Sequence, residues 1–179
     1  DSVDALASLQ ASGDLPAVMV LSGQSGVPGT SEGTAMLEIV HDLAPAAQLF
    51  FATASGGPEN FANNIIQLRL AGCNVIVDDV GYPNEAAFQD GIVAQAVNAV
   101  TDDGALYFSS AGNAGNKNDG TSGVWEGDYI PTTSPITNYP DAHDFGNGQY
   151  FNIITKDALY YSLQWSDPQG ASTNDYDLF

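Results

Sequence analysis

Ser31-Glu32-Gly33-Thr34-Ala35-Met36-Leu37-Glu38-Ile39-Val40-His41-Asp42-Leu43-Ala44-Pro45 reads as one helix, with Glu32 in its first turn and Ala44-Pro45 closing it. At 100° per residue, Glu32, Met36, Ile39 and Leu43 share a face flanked by Ala35 and Val40, while Thr34, Glu38 and His41 lie opposite. The expectation is a carboxylate set within the core-facing stripe, with the histidine turned away from it. Burying an unpaired charge is costly, so such a group is either stabilised or functional. The helix N-terminus supplies part of that stabilisation through its dipole and free N–H groups. An ordinary first-turn acid favoured by the dipole is the plainer alternative.

Working outward, Ala17-Val18-Met19-Val20-Leu21 is a short strand before this helix, and residues 22–30 form a loop carrying Gly23, Gly26 and Gly29. That loop lacks the lysine and the spacing of a phosphate loop. After the helix, residues 48–54 make a near-continuous apolar strand, the pattern of a strand covered on both faces. Phe61, Ile65, Leu68 and Leu70 mark a second helix ending near Gly72. A strand over residues 74–79, a third helix from Glu85 to Val100 and a strand over residues 104–110 complete the series. The alternation predicts an α/β fold, a parallel sheet flanked by helices on both faces.

The texture changes past the Ala111-Gly112-Asn113-Ala114-Gly115 run. Residues 116–149 are rich in Gly, Asn, Asp, Thr and Pro without a helical period. Residues 150–154 and 159–165 then carry β-branched and aromatic side chains in partial alternation, and Asp167-Pro168-Gln169-Gly170 forms a turn. Tyr176-Asp177-Leu178-Phe179 reads as a further strand beginning. The expected organisation is an α/β core over residues 1–115 and the start of an antiparallel β insert or second domain over residues 116–179.

Composition narrows the function. With 44% hydrophobic residues in 179, the chain can build a real core. Its 22 acidic residues against 3 Lys and Arg, a formal charge of -19, argue against nucleic acid and anionic membrane as partners, because phosphate contacts need clustered cations. No apolar run approaches the roughly 18 residues of a membrane span, and no signal peptide is visible. The single Cys73 excludes an internal disulfide framework and reads as a small apolar residue ahead of a strand. An acidic, lysine-poor, thiol-poor chain points to an extracytoplasmic or salt-adapted protein, and the expected location is secreted or extracytoplasmic. A chain beginning at Asp1 is expected to be a processed or excised piece of a longer protein.

On Glu32-Gly33-Thr34 and Ser109-Ser110-Ala111-Gly112-Asn113, the chain resembles the subtilisin-like and sedolisin-like serine peptidases over roughly residues 1–115. Subtilases open their catalytic helix with His-Gly-Thr, and here the histidine position is Glu32. Sedolisins place a catalytic glutamate there, on a helix that runs into an Ala-Pro turn, which Leu43-Ala44-Pro45-Ala46-Ala47 matches. Met36 stands where sedolisins carry an aspartate, so the orienting acid must come from elsewhere. Asp1-Ser2-Val3 partly fits the subtilase Asp-Ser/Thr-Gly segment. Asn113 sits in the subtilase oxyanion context, where sedolisins have aspartate. The pattern is similar to a divergent subtilase branch with Glu in place of His. The family's Gly-Thr-Ser-x-x-x-Pro is missing. Gly120-Thr121-Ser122 has the letters, but it follows Asn113 closely, lacks the proline and reads as a turn.

The resemblance implies a serine-type endopeptidase acting on peptide or protein substrates, with no cofactor and no metal. A serine beyond residue 179 would attack, Glu32 would take its proton, Asp1 would hold Glu32, and Asn113 would donate to the oxyanion. On this expectation the 179-residue chain alone is inactive. Asp79 and Gly81, at a strand end where open α/β sheets form sites, would line the substrate cleft. Carboxylate-based catalysis of this kind favours acidic conditions. The residues leave plainer alternatives open: Asp1 as a terminus, Asn113 as a turn residue, and His41 as a surface histidine. His143-Asp144 completes no metal site, and Asp175 with Asp177 offers too few acids for calcium. The competing functions are a peptidase-like binding or adhesion module that has lost catalysis and, more distantly, a flavodoxin-like nucleotide binder. Ser31-Glu32 opposes the latter by placing negative charge where phosphate would sit.

Overall fold

The computed structural model describes residues 3–24, 29–154 and 160–179. The chain is mixed α/β. In order it forms α1 (Val3–Ser12), β1 (Val18–Val20), α2 (Glu32–Leu43), β2 (Leu49–Phe51), α3 (Gly57–Leu70), β3 (Val75–Asp78), α4 (Ile92–Asp102), β4 (Leu106–Ser109), β5 (Pro131–Thr133) and β6 (Asp141–His143). Strands β1 and β2 pair in parallel with Val18 opposite Leu49, and β3 and β4 pair in parallel with Val75 opposite Leu106 and Asp78 opposite Ser109. Strands β5 and β6 are antiparallel, with Pro131 opposite His143. Each sheet has two strands among the described residues.

Helices α3 and α4 end alike. Gly72 and Gly104 take positive φ of 105° and 91°, which a side chain would strain. After each glycine the next N–H folds back onto the helix: Cys73 N–H donates to Leu68 O at 3.1 Å and Ala105 N–H to Val100 O at 3.0 Å. These are matched Schellman closures, and each one aims the chain into the next strand. They account for Cys73, which is half-buried and packs against the apolar cluster described next. Burial pushes its thiol pKa up, opposed by the nearby Arg69.

The core is where α3 and α4 meet and cover β3 and β4. Phe61, Ala62, Ile65, Ile76, Ala96, Val100 and Ala105 form one buried cluster, with Ile65 and Val100 only 2% and 1% exposed. Arg69 ties the rim together. Its Nε donates to Asp103 Oδ2 at 2.7 Å, one terminal nitrogen to Asp103 O at 2.5 Å, and the other to Cys73 O and Asn74 Oδ1 at 3.2 and 3.0 Å. One guanidinium thus joins the ends of α3 and α4 to the start of β3. Helix α4 begins at Ile92, not at Glu85 as the apolar period suggests. Glu85 instead sits outside the helix and its carboxylate accepts from Val93 N–H at 3.2 Å, an external cap on the first turn. Gly91 leaves room for it, since a Cβ there would stand 2.0 Å from Glu85 Oε1.

Helix α2 turns its other face inward, against the expectation from its apolar period. Thr34 is 5% exposed, while Leu43 is 83% exposed, and Glu32, Ile39 and Val40 are also exposed. The cause is steric. A Cβ at Gly33 would lie 2.6 Å from Phe51 Cε2, so the helix seats its smallest residues, Gly33 and Thr34, on the Phe51 ring of β2. That choice rotates Leu37, Glu38 and His41 into half-buried positions and leaves Ile39 and Leu43 outside. On β3 and β4 likewise, Ile76, Ala105 and Tyr107 face the helices, and Val75, Val77, Leu106 and Phe108 are exposed on the opposite face.

The chain divides into two units, Asp1–Ser110 with Gln164–Phe179, and Ala111–Leu163. The second unit contains the β5–β6 hairpin. His143 Nδ1 accepts from Ile130 N–H at 3.1 Å, and the imidazole packs between Trp125 and Phe145, with ring centroids 4.5 and 4.6 Å away. Neither of the strands expected at residues 150–154 and 159–165 forms among the described residues. Residues 155–159 lie outside the described residues; Phe151, Ile153, Ile154, Tyr160, Tyr161 and Leu163 are exposed, and no partner strand covers them among the described residues. Strand propensity expresses packing against neighbours, which is missing here. Residues 164–179 also form no strand. Two glutamines fasten them: Gln89 donates to Asp167 O and accepts from Gln169 N–H, while Gln164 donates to Pro83 O and accepts from Ala87 N–H.

Two substitutions measure these contributions. Ile65→Ala is expected to lower unfolding free energy by about 2–5 kcal/mol, the range for a fully buried aliphatic truncation. Arg69→Met keeps the apolar stem and strips every donor, and is expected to cost about 1–3 kcal/mol. Urea midpoints at unchanged m-value check both.

Candidate active site

The strand ends of the first unit gather several polar groups. Asp78, the last residue of β3, has three donors on its carboxylate. Tyr107 Oη donates to Oδ2 at 2.5 Å, and Ser109 Oγ and Val80 N–H donate to Oδ1 at 2.9 and 3.2 Å. The register explains the meeting: Asp78 and Ser109 are opposite each other on one face of the pair, with Tyr107 two residues earlier on the same face. Burial, and then the Asp78 hydrogen bond and charge, push the Tyr107 phenol pKa well above its ordinary value. Tyr82 shares that environment more weakly, raised by burial and then by Asp78. Its hydroxyl donates to Ala54 O at 2.6 Å, joining the segment after β3 to the segment after β2, and its ring packs on Phe61.

A second network closes the neighbouring strand end. Asn64, buried on α3, donates to Thr53 O at 2.8 Å and accepts from Gln24 Nε2 at 3.0 Å; Gln24 Oε1 in turn accepts from Thr53 N–H at 2.6 Å. The loop after β1, the end of β2 and helix α3 are thereby locked together.

Against this framework the expected site residues fall as follows. Asp79 and Gly81 are exposed directly past β3, on the segment that Asp78 and Tyr82 anchor at either end. Glu32 is in the first turn of α2 as expected, but exposed, not buried. No described residue hydrogen-bonds its carboxylate. Asp1 lies outside the described residues. Asn113 belongs to the second unit, where it is exposed after Gly112, whose φ is 72°. Ser122 Oγ is engaged in its own turn, donating to Val124 O at 3.1 Å and accepting from Val124 N–H at 3.2 Å. The loop before it is closed by Asn116, which exchanges hydrogen bonds with Asp119 and Thr121. Asp144, beside His143, accepts from Gly146 and Gly148 N–H and so closes its own loop. Among the described residues, no group of three His, Cys, Asp or Glu is placed to hold a metal.

Sequence reasoning missed the roles of Tyr107, Ser109, Tyr82, Gln24 and Asn64. The first two had a signal. An acid ending one strand, with hydroxyl residues at period two on its neighbour, marks a cross-strand cluster once the parallel register is known. No protein-family model, curated protein or solved structure matches the chain.

A phenol pKa raised by folding stabilises the fold fully below its unfolded value near 10, and that stability is lost as pH rises through the folded value. Tyr107→Phe is therefore expected to destabilise the protein at neutral pH by about 1–2 kcal/mol. It is also expected to leave the native tyrosinate titration up to pH 11 unchanged, because Tyr107 does not ionise there. Spectrophotometric titration of both proteins checks this.

Proposed function

We propose that this chain is the α/β core and an attached β-containing unit of a secreted or extracytoplasmic serine-type endopeptidase of the subtilase/sedolisin superfamily. The observation that carries the reading is Glu32-Gly33-Thr34 opening α2 within the order β1–α2–β2–α3–β3–α4–β4, with both strand pairs parallel. Gly33 has a physical reason in that frame, the close approach of Phe51. Ser109 ends β4, and Asn113 follows four residues on. The finer architecture in this reading is one parallel sheet with helices on both faces. The exposed apolar face of β3 and β4 supports it, because parallel sheets are normally covered on both sides.

In this mechanism Glu32 receives the proton of a serine supplied from outside the described chain. Asp1 orients Glu32. Asn113 donates to the oxyanion of the tetrahedral intermediate. The substrate is a peptide lying along Asp79 and Gly81. The second reading, a peptidase-like binding or adhesion module, is favoured by Met36 in place of an acid one turn after Glu32 and by a Glu32 carboxylate that takes no hydrogen bond among the described residues.

The full-length protein tests both. The enzyme reading expects labelling of one serine by a fluorophosphonate and hydrolysis of unfolded casein with an acidic optimum. Glu32→Gln is expected to lower kcat by about 10²–10⁴-fold, and Asn113→Ala by about 10²–10³-fold, the loss seen when subtilisin itself is stripped of its oxyanion side-chain donor. Retained peptide binding without labelling or hydrolysis supports the binding module. An optimum above about pH 9 removes the carboxylate mechanism.

A further inference from the structure

We infer that Asp78 is a positioning residue for substrate, setting the backbone of the 79–81 segment without touching the reacting atoms; this rests on the endopeptidase reading. Three donors converge on its carboxylate from two directions. Tyr107 and Ser109 hold it from β4, a strand fixed to the core through Ala105 and Val100. Val80 N–H holds it from the segment it orients, so the turn out of β3 is drawn back onto the carboxylate. Tyr82 fastens the far end of the same segment to Ala54 O. Asp79 and Gly81 are left between two anchored points, exposed and with their backbone fixed. An extended peptide laid along such an edge gains main-chain hydrogen bonds only if the edge is already in place, since ordering it on binding reduces affinity.

Asp78 is a poor candidate for proton transfer itself. Its oxygens are occupied by donors, and Tyr107, the group that would return a proton, is held in its neutral form by burial and by Asp78. Its effect on turnover is thus expected through binding that is equal in ground and transition states, which raises KM and spares kcat.

The test is steady-state peptide hydrolysis by the full-length protein, with fluorophosphonate labelling as an independent readout of the serine. Asp78→Ala is expected to raise KM about tenfold with kcat within about twofold, and to leave labelling intact. Asp78→Asn keeps an acceptor for Ser109 and Val80 and is expected to recover most of the loss. If Asp78→Ala does not fold, Tyr107→Phe keeps the ring, removes one donor and is expected to raise KM in the same sense. A labelled, active enzyme whose KM is unmoved by the folded variants overturns the inference alone. A fall in kcat at constant KM overturns it too, by making Asp78 part of the chemistry. A wild-type protein that neither labels nor hydrolyses overturns the endopeptidase reading and the inference with it.

Discussion

Burial of Ile65 and Val100 beneath the β3–β4 pair is the constraint from which the strand ends inherit their geometry. The two side chains lie on helices that end in the same glycine closure, and each closure feeds the next strand directly into the same apolar cluster. Ile76 and Ala105 enter that cluster from the strands, and this selects the face of each strand that turns inward. A slip of one residue in the pairing would move every inward side chain to the other face. Asp78 would then leave Tyr107 and Ser109, and the segment beyond it would lose its anchor. The polar cluster therefore depends on an apolar one two residues away.

The chain has 3 Lys and Arg for 22 acids, so its carboxylates cannot be satisfied by ion pairs. Neutral donors replace them. Asp78 takes two hydroxyls and a backbone N–H, Glu85 the free N–H of a helix start, Asp144 two glycine N–H groups, and Asp167 the Ser172 hydroxyl and the Asn174 side chain and backbone. These donors hold the Asp167 carboxyl below its usual range, the Ser172 hydroxyl contributing most. Among the described residues Arg69–Asp103 is the one ion pair, and it also serves two backbone carbonyls. Hydrogen bonds of this kind are short-ranged and respond little to salt, unlike the exposed charge pairs that stabilise many surfaces.

Much of this arrangement was legible in the residues. The apolar runs that became β1 to β4 and the order of helices between them follow from periodicity and glycine punctuation. What escaped was governed by contacts between distant positions. The inward face of α2 was decided by the Phe51 ring against Gly33, which outweighed the stripe of Met36, Ile39 and Leu43. The start of α4 was decided by a carboxylate folding back from Glu85. Residues 150–154 have the composition of a strand but no strand to pair with among the described residues, while the hairpin formed among prolines and polar residues at 131–143. At the site, Glu32 was placed on the right turn of the right helix, and its burial was misjudged for the same reason as the helix face. Asp78 is one residue within the strand read over 74–79, and its partners lie some thirty residues away in sequence, beyond the reach of any local pattern.

The two tryptophans fall one to each unit. Trp125 is stacked in edge contact with His143 and Phe145, and Trp165 packs on Tyr176 and donates its indole N–H to Ser172. Nature has in effect given each half its own fluorophore. Replacing either indole with phenylalanine leaves emission that reports on the other half alone.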